Sequence, residues 1–349
     1  MVYQEKRAIF LTRTRLRPRR LKDSPEWPAG AYLPKEQIHS LINGAFERFY
    51  LEGIKSISGK EIRSYHINKI LGNSKDLDFV LVYSEDGALL GMGVFQTLKW
   101  DTKCLRRKIT RIDLVVTRDK VSRRRNIYKL IIDNILDCCW NRGDKVIFFR
   151  YSSRNKLLNG VLNSMGIRPL SAVTHLYYRC KKDGRACNDD ENLDIEARSP
   201  RRSEHKRLEA IMVDGYSNRL LNEPIFRKSD VRKLYGEWIK NNLNGRVKEV
   251  LLAAKGKDIL GFVAFDTFRA GKKKIGFIDM IVVDKKFRGM GVGALLMRAA
   301  AKRLSKDVEG IFLGTESGKK ETVNFYRKLG FRVTDTSHSY HIKPIGFKC

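Results

Sequence analysis

Residues 278–300 read IDMIVVDKKFRGMGVGALLMRAA. The first six are rich in β-branched and apolar side chains and predict a strand. A short polar turn leads into Arg288-Gly289-Met290-Gly291-Val292-Gly293-Ala294, and that loop opens directly into residues 294–304, which carry apolar side chains at helical spacing. Glycines let the backbone turn tightly and bring bare N–H groups against a phosphate. The helix that follows adds its N-terminal partial charge, so an anion is favoured there. Arg288 supplies a cation and further donors. The spacing is R-x-x-G-x-G, not the G-x-G-x-x-G of a dinucleotide-binding turn. About thirty residues later comes a second cluster, Asn324-Phe325-Tyr326-Arg327-Lys328-Leu329-Gly330-Phe331.

Outward from this segment, the chain repeats itself. Leu90-Gly91-Met92-Gly93-Val94-Phe95-Gln96-Thr97 aligns with Leu260-Gly261-Phe262-Val263-Ala264-Phe265-Asp266-Thr267 at a shift of 170. Ile112-Asp113-Leu114-Val115-Val116 aligns with Ile278-Asp279-Met280-Ile281-Val282 at a shift of 166, and Met165-Gly166-Ile167-Arg168 with Leu329-Gly330-Phe331-Arg332 at a shift of 164. Three blocks in one order, drifting only by loop length, indicate a tandem duplication. Residues 181–192 are polar, hold Asp183-Gly184 and Asp189-Asp190-Glu191, and read as a linker. The expected division is 1–182, a linker at 183–192, and 193–349. Strands are expected at 79–83, 88–96, 112–116, 146–150, 250–254, 259–265, 275–283 and 310–313, and helices at 128–138 and 294–304. Each copy is expected to be a mixed α+β unit, a mostly antiparallel central sheet flanked by helices. Residues 1–22 are strongly basic, so they read as a basic arm, with Ala8-Ile9-Phe10-Leu11 as an alternative first strand.

The chain has 349 residues, 42% hydrophobic and 31% charged, enough apolar content for a full core. No run approaches the ~18–20 apolar residues of a membrane span. The opening residues carry charges and Pro in place of an apolar signal core, so a cytoplasmic protein is expected. Six scattered Cys show neither C-x-x-C nor a Cys/His ligand spacing, so neither a disulfide framework nor a metal site is expected. Lys and Arg number 70 against 39 Asp and Glu, a net charge of +31. Such a surface attracts polyanions: nucleic acid, anionic lipid or phosphorylated small molecules.

Taken together, the glycine loop and the N-x-Y…G-F segment (Asn324, Tyr326, Gly330, Phe331) resemble the GNAT family of N-acetyltransferases, over about residues 193–342. Tyr235, Trp238-Ile239, Asn241, Gly245-Arg246, Val250, Gly261-Phe262 and Tyr340-His341 resemble one subgroup, enzymes that acetylate nucleotide-linked amino sugars, such as TDP-fucosamine acetyltransferase. The chain departs from the family where Asp279-Met280 precedes the loop and where Thr315-Glu316-Ser317 stands in place of a common Gln. The resemblance implies two tandem GNAT-like domains, the second one catalytic, with acetyl-CoA as cosubstrate. It implies that Ile281, Val282 and Val283 meet the pantetheine and thioester. It places Arg288, Gly289, Met290, Gly291, Val292, Gly293 and Ala294 on the pyrophosphate and Asn324 on the pantetheine arm. Tyr326 then protonates the departing thiolate. Acyl transfer by direct attack of an amine needs proximity, oriented donors and proton transfer, and no covalent enzyme intermediate, so no Cys is required.

The first copy departs from this pattern. At the shift of 166 the loop faces Ser122-Arg123-Arg124-Arg125-Asn126-Ile127, and at the shift of 164 Gly160 faces Asn324 and Leu162 faces Tyr326. Side chains in place of glycines block a close backbone approach to a pyrophosphate, so this copy is expected to bind no acetyl-CoA and to complete the acceptor pocket or serve as a pseudo-dimer partner. Whether the chain is a monomer with pseudo-dimeric domains or a homodimer stays open. Asp279 and Glu316 are candidate bases, although Asp113 at the matching place in the degenerate copy argues that Asp279 is structural. His338 and His341 near the C-terminus are further candidates. Arg198, Arg201, Arg202, Lys206 and Arg207 form a basic cluster that reads as a solvated face, and Arg219 and Arg227 follow the first helix of the copy, where the family places acceptor contacts. Three acceptor readings remain: the amine of a nucleotide-linked amino sugar, a protein or peptide amine, or a nucleic-acid-associated role without the reading motifs of known modules.

Overall fold

A computed structural model describes residues 7–11, 34–45, 54, 57–73, 76–84, 86–118, 124–180, 195–216 and 218–344. The expected linker at 183–192 and the basic stretch on both sides of residues 7–11 lie outside them. The first copy runs β1 (Arg7–Leu11), α1 (Lys35–Asn43), α2 (Gly59–Gly72), β2 (Asp78–Tyr83), β3 (Leu89–Thr97), α3 (Lys99–Leu105), β4 (Ile109–Thr117), α4 (Arg124–Asn141), β5 (Val146–Ser152), α5 (Lys156–Ser164) and β6 (Ser171–Arg179). The second runs β7 (Glu196–Arg198), α6 (His205–Gly215), α7 (Lys228–Asn241), β8 (Glu249–Lys255), β9 (Asp258–Ala270), β10 (Lys273–Val283), α8 (Val292–Leu304), β11 (Gly310–Glu316), α9 (Lys320–Lys328) and β12 (Arg332–Ile342). With α3 set aside, the two element orders are identical. The duplication read from three sequence blocks is thus a duplication of architecture, mixed α/β in both copies, and residues 8–11 form a strand.

The irregularities repeat as well. In β3–β4 the register slips past Asp113, and in β9–β10 it slips past Asp279. In β2–β3 it slips past Leu90, and in β8–β9 past Leu260. Each slip leaves one extra residue on one strand, a β-bulge that sharpens the local twist. The glycine after the second bulge recurs for a steric reason. A Cβ at Gly91 would lie 2.6 Å from the Ile127 side chain, and one at Gly261 would lie 2.6 Å from the Val282 carbonyl oxygen.

All described strands join one sheet in the order β1-β2-β3-β4-β5-β12-β6-β11-β10-β9-β8-β7. The middle of this order is the unexpected part. β12, the last strand of the second copy, pairs antiparallel with β5 of the first. β6, the last strand of the first copy, pairs antiparallel with β11 of the second. β6 and β12 also pair with each other, so each copy has handed its final strand to the other.

The packing follows the exchange. α4 and α5 cover β2–β5 with Ile131, Ile132 and Leu162, and Tyr340 and Ile342 from β12 complete that core. α8 and α9 cover β8–β11 with Leu296, Ala300 and Tyr326, and Leu176 from β6 completes that one. On the opposite face, α1 and α2 pack on β2–β4 together with Ala270 and Ile275 of the second copy, while α6 and α7 pack on β8–β10 together with Cys104, Leu105 and Phe148 of the first. Each apolar cluster draws on both copies. No helix among the described residues is long and apolar enough to cross a membrane.

Candidate active site

β10 and β11 run parallel and share only two paired positions, Gly276↔Ile311 and Phe277↔Phe312. Past them β10 stays with β9 up to Val283, while β11 stays with β6 up to Glu316. The two strands therefore splay, and backbone groups of residues 278–283 lose their partner on one side. A cleft of about 1720 Å³ opens at the splay. Ile281, Val282, Val283, Arg288 and Tyr326 line it from the second copy, and Trp100, Arg111, Asp113 and Phe148 line it from the first.

Of the glycine loop, Arg288 lines this cleft, and residues 289–294 follow it beyond the lining. Gly289 and Gly291 have φ of 82° and 79°, the left-handed region in which a side chain is strained. A Cβ at Gly289 would meet no neighbouring atom, so conformation and not crowding requires glycine there. Gly291 is the N-cap of α8, and no side chain caps it. The N–H groups of Val292, Gly293 and Ala294 fall in the first turn, where an α-helix has no internal acceptors. With the helix dipole behind them, such N–H groups are chemically suited to an anion. Arg288 is braced: its Nη2 donates to the Gly215 carbonyl at 2.7 Å and its Nε to the Val283 carbonyl at 3.3 Å. That ties the end of α6 to the end of β10 beside the loop. Met290 is 54% exposed at the loop's tip.

Tyr326 is buried on the inner face of α9 and faces the cleft between Phe325 and Phe331, at 5.0 and 5.8 Å between ring centroids. Burial, and then the neighbouring Tyr216, push its phenol above the ordinary value, so it holds its proton throughout the neutral range. Asn324, two residues earlier and so on roughly the opposite side of α9, stands exposed and does not line the cleft. Tyr216 was not singled out by sequence reasoning. It lines the cleft and packs edge-on against Tyr235 and Trp238, at 5.0 and 6.0 Å. Its only sequence signal is a lone aromatic between the helix-ending Gly215 and a polar stretch.

Asp279, the bulged residue of β10, accepts hydrogen bonds from Trp238 Nε1 at 2.9 Å, Asn242 Nδ2 at 2.8 Å and the Arg246 guanidinium. Asp113, its counterpart, accepts from Gln96 and from Arg111 Nε. Both aspartates anchor a bulge, which accounts for Asp at this place in either copy. Glu316 ends β11 in the cleft, and its Oε1 accepts the Arg219 backbone N–H at 2.7 Å. His341 lies against Arg219 and Glu223, whereas His338 turns toward the first copy, with Nδ1 3.0 Å from Asn159 Oδ1. Both imidazoles are pushed toward the neutral form by burial.

The remaining cations divide clearly. Arg198 is paired with Glu204 and Glu196, and Arg207 with Asp284. Arg201, Arg202, Lys206 and Arg227 are exposed and away from the cleft. In the first copy, Arg123 lies outside the described residues. The Arg125 guanidinium lies against Gly160, so a side chain fills ground that the second copy leaves to bare backbone. No group of His, Cys, Asp and Glu among the described residues could hold a metal ion.

Residues 217–331 match the model of the Acetyltransferase (GNAT) family. The spore coat polysaccharide biosynthesis protein SpsD of Bacillus subtilis is 21% identical over 128 residues, 36% of this chain and 43% of that protein. The chain matches less than half the length of its curated relatives. A GCN5-related N-acetyltransferase from Sphaerobacter thermophilus superposes with a TM-score of 0.63 at 15% identity, over 91% of this chain and 96% of that one. A tandem GNAT protein from the clavulanic acid biosynthesis pathway superposes with a TM-score of 0.54 at 12% identity, over 97% and 98%. The fold is that of tandem GNAT proteins.

Proposed function

We propose that this chain, whose second copy is a GNAT-type acetyltransferase domain, moves an acetyl group from acetyl-CoA to a primary amine, and that the amine belongs to a nucleotide-linked amino sugar. The observation that carries the reading is the junction of the β10–β11 splay with the uncapped start of α8. The splay leaves backbone groups of Ile281, Val282 and Val283 to bind an extended polar arm. The loop from Arg288 to Ala294 offers N–H groups and a helix N-terminus to a pyrophosphate. Acetyl-CoA has both parts, and it supplies a thioester whose C–S bond breaks as the new C–N bond forms.

The residues of the cleft divide the remaining work. Tyr326, held protonated by burial, presents its O–H to the departing sulfur. A thiol's ordinary pKa near ~8.5 lies below that of such a phenol, so the hydrogen bond to the developing thiolate is its service, and the proton that ends on sulfur is balanced by the one the attacking amine sheds. Glu316 orients the acceptor's ammonium before it loses its proton to water. Trp238 and Tyr216 exclude bulk solvent from the reacting atoms, which strengthens each of these contacts.

Three facts support a nucleotide-linked sugar. The cleft exceeds the ~300–1,000 Å³ of an ordinary small-molecule site, leaving room for a large acceptor beside the donor. The net charge of +31 favours an acceptor bearing phosphates. SpsD, by its name, belongs to polysaccharide biosynthesis. The test is release of free thiol from acetyl-CoA with UDP- and TDP-linked amino sugars, free amino sugars and a lysine-containing peptide. The reading expects kcat/KM to be highest for the nucleotide-linked amines. A peptide that outperforms them would overturn the acceptor assignment, and no thiol release with any amine would count against the activity.

A further inference from the structure

We infer that Arg219 is the receptor for a negatively charged group on the acceptor, a phosphate or a carboxylate; this deepens the acetyltransferase reading above and rests on it. Arg219 opens a short helical turn, residues 219–222, just after α6. Asn218 pins that turn, its Oδ1 accepting both the Leu220 N–H at 2.9 Å and the Tyr235 hydroxyl at 2.6 Å. The Arg219 backbone N–H is held by Glu316. Its side chain is directed into the cleft and fixed at one atom: Nε donates to His341 Nε2 at 3.1 Å.

The rest of the chain of contacts shows that this brace carries no charge. Since His341 Nε2 accepts, its Nδ1 holds the proton and donates to Glu223 Oε2 at 2.8 Å, with both side chains 1% exposed. The imidazole is therefore neutral. The Glu223 carboxylate is shared between it and Lys343, whose Nζ donates to Oε1 at 2.9 Å. Glu316 is the carboxylate whose charge reaches the guanidinium, but its hydrogen bond goes to the Arg219 backbone N–H, so among the described residues the two terminal nitrogens have no hydrogen-bonded protein acceptor. A guanidinium stays charged at any physiological pH and is costly to bury without a partner.

The molecule shows what a structural buried arginine looks like. Arg142 in the first copy spends its fork on Asp78 at 2.7 Å, Asp144 at 2.6 Å and Thr110. Arg219 is held by one side-chain hydrogen bond, through Nε, and its fork is left open toward the site. A planar fork of N–H donors in a partly desolvated cleft matches the oxygens of a phosphate or carboxylate, and two parallel hydrogen bonds fix the ligand's orientation. Glu316 beside it suits an ammonium, so the pair reads an acceptor carrying an amine and an anion near each other. The brace also depends on the first copy. His341 sits on the exchanged strand β12, and its ring packs on Phe148 of β5 at 4.5 Å. The copy that lacks the glycine loop thus sets the position of Arg219.

The test is calorimetric titration of glucosamine, glucosamine 1-phosphate, UDP-glucosamine and muramic acid into the full chain and its variants, with acetyl-CoA titrated in parallel. Wild type should bind the charged ligands at least tenfold tighter than glucosamine. The phosphates leading would mark a phosphate site; muramic acid leading would mark a carboxylate site. Arg219→Gln should erase the preference, a loss of about ten- to a hundredfold for a charged hydrogen-bonded pair, while the acetyl-CoA Kd stays within twofold. Arg219→Lys should recover part of the affinity, as a point charge without the fork. His341→Phe keeps the stack on Phe148 but removes the acceptor for Nε, and should weaken anion binding; His341→Gln should restore part of it. Equal binding of all four ligands, no anion binding at millimolar concentration, or a preference that survives Arg219→Gln would each overturn the assignment. Failure of acetyl-CoA to bind would strike the acetyltransferase reading instead, and the four-ligand comparison would still decide on Arg219.

Discussion

Tyr326 and Gly291 show how unequal single residues are as signals. The left-handed glycine at the start of α8 is legible because glycine takes that φ at no steric cost. Tyr326 is legible through its spacing from Asn324 and Gly330, and the structure buries it at the cleft. Replacing Tyr326 with Phe keeps the ring packed against Phe325 and Phe331 and removes only the hydroxyl. Turnover should fall by about 10²–10³-fold, the usual scale for losing one donor to a developing anion, with the acetyl-CoA Kd within twofold of wild type. Unchanged turnover in steady-state kinetics would remove the hydroxyl from the chemistry. The Arg219–His341–Glu223 series was not legible as a unit. Its members are up to 122 residues apart, and only the folding of β12 beside β5 brings them together.

At the scale of elements, the apolar strands were legible and the polar ones, β6, β12 and the three-residue β7, were not. β2, β5 and β10 announce themselves by Val, Ile and Phe, and β8 by the apolar run Val250-Leu251-Leu252-Ala253-Ala254. β12 reads RVTDTSHSYHI and β6 reads SAVTHLYYR, with too few apolar residues for a buried strand on periodicity alone. Their polar side chains are inside because they satisfy one another: His175 bonds Ser337 at 2.7 Å, and Tyr151 bonds Tyr340 at 2.8 Å across the exchanged strands. His175 carries a consequence for acid stability. Burial holds its pKa down to about 3, so in the folded chain it stays neutral as the pH falls. The unfolded chain takes up a proton below about 6.5. The folded state therefore loses stability progressively from about pH 6.5 toward pH 3. His175→Phe, stacked on Phe312 as the imidazole is now, should make the fall of Tm between pH 6.5 and 5 shallower, at a cost of about 1 kcal/mol at pH 7 for the lost bond to Ser337. Parallel Tm curves for the two proteins would show that β6 and β12 are not held through a neutral imidazole.

On the scale of the whole molecule, the exchange of β6 and β12 makes the two copies one folding unit, although the sequence reads as two domains in series. The duplication was legible because Gly91 and Gly261, and Asp113 and Asp279, answer to the same local sterics in each copy. The exchange was not legible, because a strand's sequence does not state which equivalent edge it will pair with. Expressed alone, residues 1–182 and 193–349 should each lack the strand that completes its sheet and part of the core beneath it. Neither should show a cooperative thermal transition, and co-expression should restore a single one. Two separately folded halves would mean that the exchanged pairing adds little to stability.

The proposed place of the donor rests on the same asymmetry within symmetry: one copy keeps the glycine loop, and the other places Arg125 against Gly160. Calorimetric titration of acetyl-CoA into the full chain tests this most directly. The account predicts one site per chain, weakened at least tenfold by Gly291→Val and untouched by Arg124→Ala. Two sites, one site insensitive to Gly291→Val, or no binding would contradict it.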